Sequence, residues 1–231
     1  MAETNVQILI PSGRGMWPID FTISLLSMVM HTMANVEEKT ELNVEVVQSS
    51  TLQQGRTDLV RKGLANGATH LLLLDDDHVF PADTLLWLLK RNKPVVAANY
   101  ARRVVGGGPV SLGQDGKPVY TRPNSHGLEP VKFSGLGVTM IQADVFRKVP
   151  EPWFDFVWEQ GENGQWFISM SEDVYLFTKL AQYGIVPLVD HDLSKHVEHI
   201  GSFSYSNFHA LPKAEQMKFA GIPHNTKRNR R

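Results

Sequence analysis

Hydrophobic positions along the chain fall into short blocks separated by small and polar residues, and the most continuous block is Leu71-Leu72-Leu73-Leu74. Four apolar residues without a polar break predict a strand buried on both faces, as in a sheet covered by helices on either side. Val6 to Ile10, Leu42 to Val47, Pro94 to Asn99, the end of the run Phe133 to Ile141, and Ile185 to Val189 read as further strands. Helical spacing links Phe21 to Met33 through Ile23, Leu26, Met30 and Met33; this face is expected to pack on the sheet, with the methionines as core filler. Thr57 to Asn66, with Leu59, Val60 and Leu64 inward and Gly67 as its stop, is a second helix. Ala82 to Lys90, Ala143 to Lys148, and a helix opened by Ser171 and closed at Gly184 complete the set. Strands alternate with helices, so right-handed crossovers build one α/β domain with a mainly parallel central sheet flanked by helices.

Two stretches break this rhythm. Tyr100 to Pro130 is rich in glycine and proline, including Gly106-Gly107-Gly108, with a hairpin turn expected at Gln114-Asp115-Gly116. It reads as a loop and small hairpin suited to a substrate lid. Trp153, Phe154, Phe156, Trp158 and Trp166 lie close together, a density that means either core or a rim that stacks sugar rings or bases. Composition adds limits. The 231 residues are 42% hydrophobic and 20% charged, with a formal net charge of -1, which excludes a disordered chain and a general polyanion binder. There are no cysteines, so disulfides, thiolate metal sites and cysteine nucleophiles are excluded. No apolar run is long enough for a membrane helix and no leader-like segment is evident, so a cytoplasmic protein without a membrane anchor is expected.

The chemistry gathers where the leucine strand must end, at Asp75-Asp76-Asp77. In an open α/β sheet, ligands bind beyond the carboxyl ends of the strands. Three adjacent carboxylates repel one another and are costly to desolvate, so a cation is expected beside them; a divalent ion that also bridges a phosphate fits. The plainer reading is that they solvate a loop and cap the next helix, although one capping acid suffices for that. Pro11-Ser12-Gly13-Arg14-Gly15 after the first strand is a flexible loop that can cradle a nucleotide, but it is neither a Walker loop nor a dinucleotide fingerprint. Arg56 pairs with the triplet or a phosphate, or is solvated; Arg102 and Arg103 bind diphosphate or face water. Small residues at Gly135 and Gly137 would let a ligand approach the backbone. Glu172 and Asp173 open a helix, where a structural role at the dipole competes with a catalytic one.

Together these segments resemble the nucleotide-sugar-dependent glycosyltransferases of the GT-A fold, specifically family 2-like members, small phage-encoded ones among them. The resemblance runs from Val6 to about Tyr205. Its most specific part is an Asp-x-Asp motif, Asp75 to Asp77 after a leucine-rich strand, paired with Glu172-Asp173 at a later helix start, and followed in family order by His199-Ile200-Gly201. It implies a single GT-A (Rossmann-like) domain over 1–205, with a nucleotide part to about 100 and an acceptor and catalytic part beyond it, and a C-terminal extension over 206–231 with a basic tail. It implies that Asp77 binds Mn²⁺ or Mg²⁺, that Asp75 touches the metal or the ribose, and that His199 completes the metal shell. Glu172 would hold the acceptor and Asp173 would be the base of an inverting transfer. The donor, a UDP-sugar, would lie among Pro11, Ser12, Gly13, Arg56, Asp75, Asp76, Arg102, Gly135 and Gly137.

The acceptor hydroxyl is the least specified part. Lys227 to Arg231, His224, Arg102 and Arg103 could form a positive track, which makes a 5-hydroxymethylated pyrimidine in DNA one candidate, beside saccharide and protein acceptors. Two other classes fit the same residues: a nucleotidyltransferase or metal-dependent hydrolase using the triplet for phosphoryl chemistry, and a non-catalytic carbohydrate or nucleic-acid binding module.

Overall fold

The computed structural model describes residues 4–13, 15–36, 39–104 and 106–219. His224 and the basic run from Lys227 lie outside the described residues. The first half of the chain contains β1 Thr4–Ser12, α1 Ile19–Asn35, β2 Thr40–Gln48, α2 Leu52–Ala65, β3 His70–Leu74, β4 His78–Val79, α3 Thr84–Arg91 and β5 Val95–Ala97. There follow β6 Leu112–Gly113, β7 Leu128–Phe133, β8 Val138–Gln142, α4 Ala143–Lys148, β9 Val157–Gln160 and β10 Trp166–Met170. The last elements are α5 Glu172–Gln182, β11 Leu188–Asp190, α6 His191–Ser194, β12 Glu198–Ile200, β13 Ser204–Tyr205, α7 Asn207–Ala210 and α8 Lys213–Phe219.

Eight strands form one sheet in the order β2-β1-β3-β8-β5-β11-β7-β6. β1 lies parallel to both β2 and β3, and β5 parallel to β11. β8 runs against its neighbours β3 and β5, and β7 against β11 and β6. Most strands therefore point one way, as the alternation of elements predicts, with β8 and β7 reversed between them. β3 sits near the middle for the reason its sequence gives. Leu71 and Leu73 enter the core on one face with Leu59, Val60, Phe146, Trp153 and Phe177. Leu72 and Leu74 enter the other with Phe21, Leu25, Met28, Leu85 and Val138. Each such leucine contributes about 2 kcal/mol by burial, enough to fix the strand between two helical layers.

Two expectations need correction, and the aromatic segment, left open between core and surface, divides between them. α1 does pack on the sheet, but through Phe21, Leu25 and Met28; Ile23, Leu26, Met30 and Met33 face solvent. Both sides of this helix are apolar, so spacing alone cannot say which side is inside. In the aromatic segment, Trp153 and Phe154 are core, whereas Trp158 and Trp166 stand on the exposed ribbon formed by β9 and β10. The first strand continues through Pro11 and Ser12, so the loop expected there begins only at Gly13. The Gln114-Asp115-Gly116 turn is present: Gly116 has φ +76°, and Gly113 N donates to Lys117 O at 2.8 Å.

Candidate functional site

The parallel register of β1 and β3 brings Ser12 beside the acidic triplet, and Ser12 Oγ donates to Asp76 Oδ2 at 2.8 Å. Pro11 and Ser12 are buried, and Gly13 opens to solvent. From α2, Arg56 reaches under the triplet. It is 3% exposed and donates to Asp75 Oδ1 at 2.7 Å and to Glu172 Oε1 at 2.6 Å. Burial alone would lower the Arg56 guanidinium; Asp75 and Glu172 outweigh it and hold it above its ordinary value. Of the alternatives for Arg56, pairing with the triplet is the observed one, and Glu172 is its second carboxylate. Glu172, expected to hold an acceptor, is 7% exposed and committed to Arg56. Burial raises its carboxyl first; Arg56 opposes that and Asp173 reinforces it, for a net rise.

Asp173 follows in the first turn of α5. Ser171, at the N-cap, does not cap the helix with its side chain but donates it to Asp173 Oδ1, which also accepts from Val174 N at 2.7 Å. Two donors on one oxygen fix the carboxylate and leave both bonds off Oδ2.

Asp77 sits in a different environment. After the triplet, β4 pairs antiparallel with β12, and the register sets His199 opposite His78. Directly opposed residues bring their side chains together, and the two imidazoles stack with centroids 4.4 Å apart and planes 13° apart. Asp77 Oδ1 lies 3.1 Å from His78 Nδ1 and 3.5 Å from His199 Nε2. These contacts have the distances but not the angles of hydrogen bonds, so Asp77 Oδ1 and both ring nitrogens of His78 are buried without a hydrogen-bond partner among the described residues. Arg103 Nη1 reaches Asp77 Oδ2 at 2.7 Å. Burial would raise the Asp77 carboxyl, but His199 and His78 hold it far below the usual carboxylate range. Burial likewise pushes the His78 imidazolium down, more than neighbouring Asp77 raises it, so the ring is neutral at pH 7.

Asp77, His78 and His199 place one potential ligand atom each within 4.8 Å of the others. His199 Nδ1 donates to Ala101 O at 3.0 Å, which leaves Nε2 as the ring nitrogen that faces Asp77. A carbonyl behind a histidine is the usual support for a metal-ligating ring. Unpaired buried polar atoms and a ring held from behind by a carbonyl fit a cation, and one carboxylate with two imidazoles suits a transition metal better than Mg²⁺. Asp77 and His199 are thus together as expected from the sequence. Asp75 stands outside the group, on Arg56.

His78 is the residue that sequence reasoning missed. Its only local signal is its place directly after the triplet; the contact with His199 comes from strand pairing between distant segments. Arg103, not Arg102, is the arginine that meets the acids; the Arg102 backbone N–H donates to Gly108 O while its side chain is exposed. Gly135 and Gly137 do permit close approach, but what approaches is the protein's own Tyr100 and His78. A Cβ on Gly135 would overlap Tyr100 Oη, and one on Gly137 would overlap the His78 ring. Gly137 N donates to Tyr100 Oη at 3.0 Å, and the Tyr100 ring stands edge-on to His78 at 4.3 Å.

No protein-family model and no curated protein matches the chain. Among solved structures, the crystal structure of A197 from STIV is similar over 86% of this chain and 86% of that one, at 17% identity and a TM-score of 0.54. A Drosophila β-1,4-galactosyltransferase 7 mutant, in complex with manganese, UDP-Gal and xylobiose, is similar over 86% of this chain and 71% of that one, at 13% identity and a TM-score of 0.47. The second likeness is too low to carry an argument. The first shows that this α/β fold is shared, and nothing about activity.

Proposed function

We propose that the chain is a metal-dependent glycosyltransferase of GT-A type that moves a sugar from a nucleoside-diphosphate sugar, a UDP-sugar, to an acceptor hydroxyl with inversion. The observation that carries this reading is the Asp77–His78–His199 cluster with its unpaired buried polar atoms at the carboxyl end of β3, where neighbouring Asp75 is tied through Arg56 to Glu172 at the start of α5. Asp77, His78 and His199 hold the cation, Mn²⁺ rather than Mg²⁺. When bound, it neutralises the charge that collects on a departing diphosphate, so no protonated acid is needed at the leaving group. Arg103 is the cation that Asp77 holds otherwise; once replaced there, its guanidinium is available to the diphosphate. Ser12 fixes Asp76, and Arg56 fixes Asp75 beside the donor. Asp173 takes the acceptor proton on Oδ2 while Ser171 and Val174 hold Oδ1, and Glu172 acts through Arg56 rather than on the acceptor.

A saccharide acceptor has an observation behind it. The β9–β10 ribbon carries Trp158 and Trp166, 55% and 64% exposed, on one face and runs directly into Ser171 and α5. Exposed indoles suit stacking on sugar rings. The DNA acceptor rested on a positive track of Arg102, Arg103, His224 and the tail; Arg103 is engaged with Asp77, and His224 and the tail lie outside the described residues.

The test is incubation with a panel of UDP-sugars, Mn²⁺ and oligosaccharide alcohols, reading UDP release and the anomeric configuration of the product. UDP with an inverted product is expected. Release of UMP and a sugar 1-phosphate would instead assign phosphoryl chemistry, and retained configuration would remove Asp173 from the role of base.

A further inference from the structure

α1 is apolar on two sides. Phe21, Leu25 and Met28 are buried against the sheet, while Ile19, Ile23, Leu26, Met30 and Met33 on the opposite side are 74%, 55%, 57%, 71% and 56% exposed. Single apolar residues on a surface need no explanation, but five in one stripe along a 17-residue helix do. A helix that is hydrophobic all round is ordinarily enclosed all round. The stripe steps by four, three, four and three residues, the repeat by which paired helices interlock side chain into gap.

The charge of the helix decides what fits this face. α1 carries one acid, Asp20, one histidine, His31, and no lysine or arginine. A two-fold pairing sets the stripe against the same stripe of the partner, which only a seam without a cluster of like charges tolerates. An anionic bilayer would find no basic rim here to hold it. Five side chains more than half exposed present on the order of 500 Å² per copy, so two copies bury about 1,000 Å², where specific interfaces begin. The edge strand adds to this: Val44 and Val46, paired with Ile8 and Ile10 and so on the α1 side of the sheet, are 41% and 44% exposed. The helix is already held by the sheet, so pairing carries no cost of helix formation.

We propose that the Ile19–Met33 face of α1 docks on the same face of a second copy of this chain, making a two-fold dimer. Leu26 is the central member of the stripe and meets Leu26 of the partner subunit whichever way the two helices run. Sedimentation equilibrium of the full chain should give a dimer, and Leu26→Glu/Met30→Glu should halve the mass without lowering the thermal midpoint, because both side chains are exposed. The chain has no cysteine, so a single Leu26→Cys should form a disulfide-linked dimer under mild oxidation, whereas Lys117→Cys, at a side chain 81% exposed on the hairpin turn, should not. A wild type that stays monomeric to about 100 µM, or a dimer that persists in the double glutamate variant, would overturn the proposal. So would a monomer that sediments with phosphatidylcholine–phosphatidylglycerol vesicles through this face, which would assign it to a membrane surface.

Discussion

His78 is fully buried, stacked on His199 and edge-on to Tyr100, yet neither of its ring nitrogens has a hydrogen-bond partner among the described residues. If its purpose were packing, a phenylalanine would serve as well. His78→Phe is therefore expected to keep the thermal midpoint within a few degrees while weakening Mn²⁺ binding roughly a hundredfold, measured by calorimetry. Asp77 has the opposite signature. Its carboxyl is held far below the ordinary value of 3.8, so the folded state binds its proton less readily than the unfolded state does. A depressed carboxyl stabilises the fold at every pH above its unfolded value, and that contribution is lost as pH falls through the folded value. The urea midpoint of the wild type should thus drop from about pH 4 toward about pH 2 more steeply than that of Asp77→Asn. Parallel slopes would show that Asp77 gains nothing from the two histidines. Asp173→Asn keeps the two donors to Oδ1 in place but removes the proposed base. Donor affinity should be unchanged and turnover reduced on the order of a hundredfold.

At the scale of elements, Arg56 joins α2 to both the β3 end and the start of α5, since one buried guanidinium serves Asp75 and Glu172. Arg56→Ala would leave two neighbouring carboxylates without their shared cation, one of them Glu172 in a buried position. A loss of about 3 kcal/mol in chemical denaturation is expected, the size seen when one partner of a buried pair is removed. Arg56→Lys should recover less than half of it, because an ammonium cannot present two separate N–H groups in a fixed fork. The ribbon of β9 and β10 makes a different kind of contribution. Trp166→Ala should raise the KM for a saccharide acceptor by roughly tenfold and leave kcat and the thermal midpoint unchanged, because the ring is exposed and not part of the core. How far these elements could be read from the sequence depended on whether one side of each was polar. β3 has no polar residue from Leu71 to Leu74 and was legible as a strand buried on both faces; α2 has polar residues opposite Leu59 and Val60 and was legible as a helix with an inward face. α1 is apolar on both sides, so its existence was legible and its orientation was not.

At the scale of the molecule, the sheet order sets β1 and β3 side by side in parallel, so their carboxyl ends deliver Ser12 and the acidic triplet to one edge. That much follows from a strand ending in acids, and it is why Asp75 to Asp77 could be found from the sequence. The remainder of the cluster depends on β4 and β12, which are short, far apart in the chain and paired only in the folded state. No periodicity in two- and three-residue strands could have announced that His199 lies against His78. The insertion of β8 and β7 against the prevailing strand direction was hidden for a similar reason, since an apolar run has no polarity of its own. In the proposed reaction, a divalent cation held by Asp77, His78 and His199 would bind the diphosphate. The direct test is calorimetric titration of UDP into the wild-type protein with Mn²⁺ and again in excess chelator. Binding with Mn²⁺ and a loss of at least roughly a hundredfold with chelator is the predicted result, and equal affinity in the two solutions would contradict it.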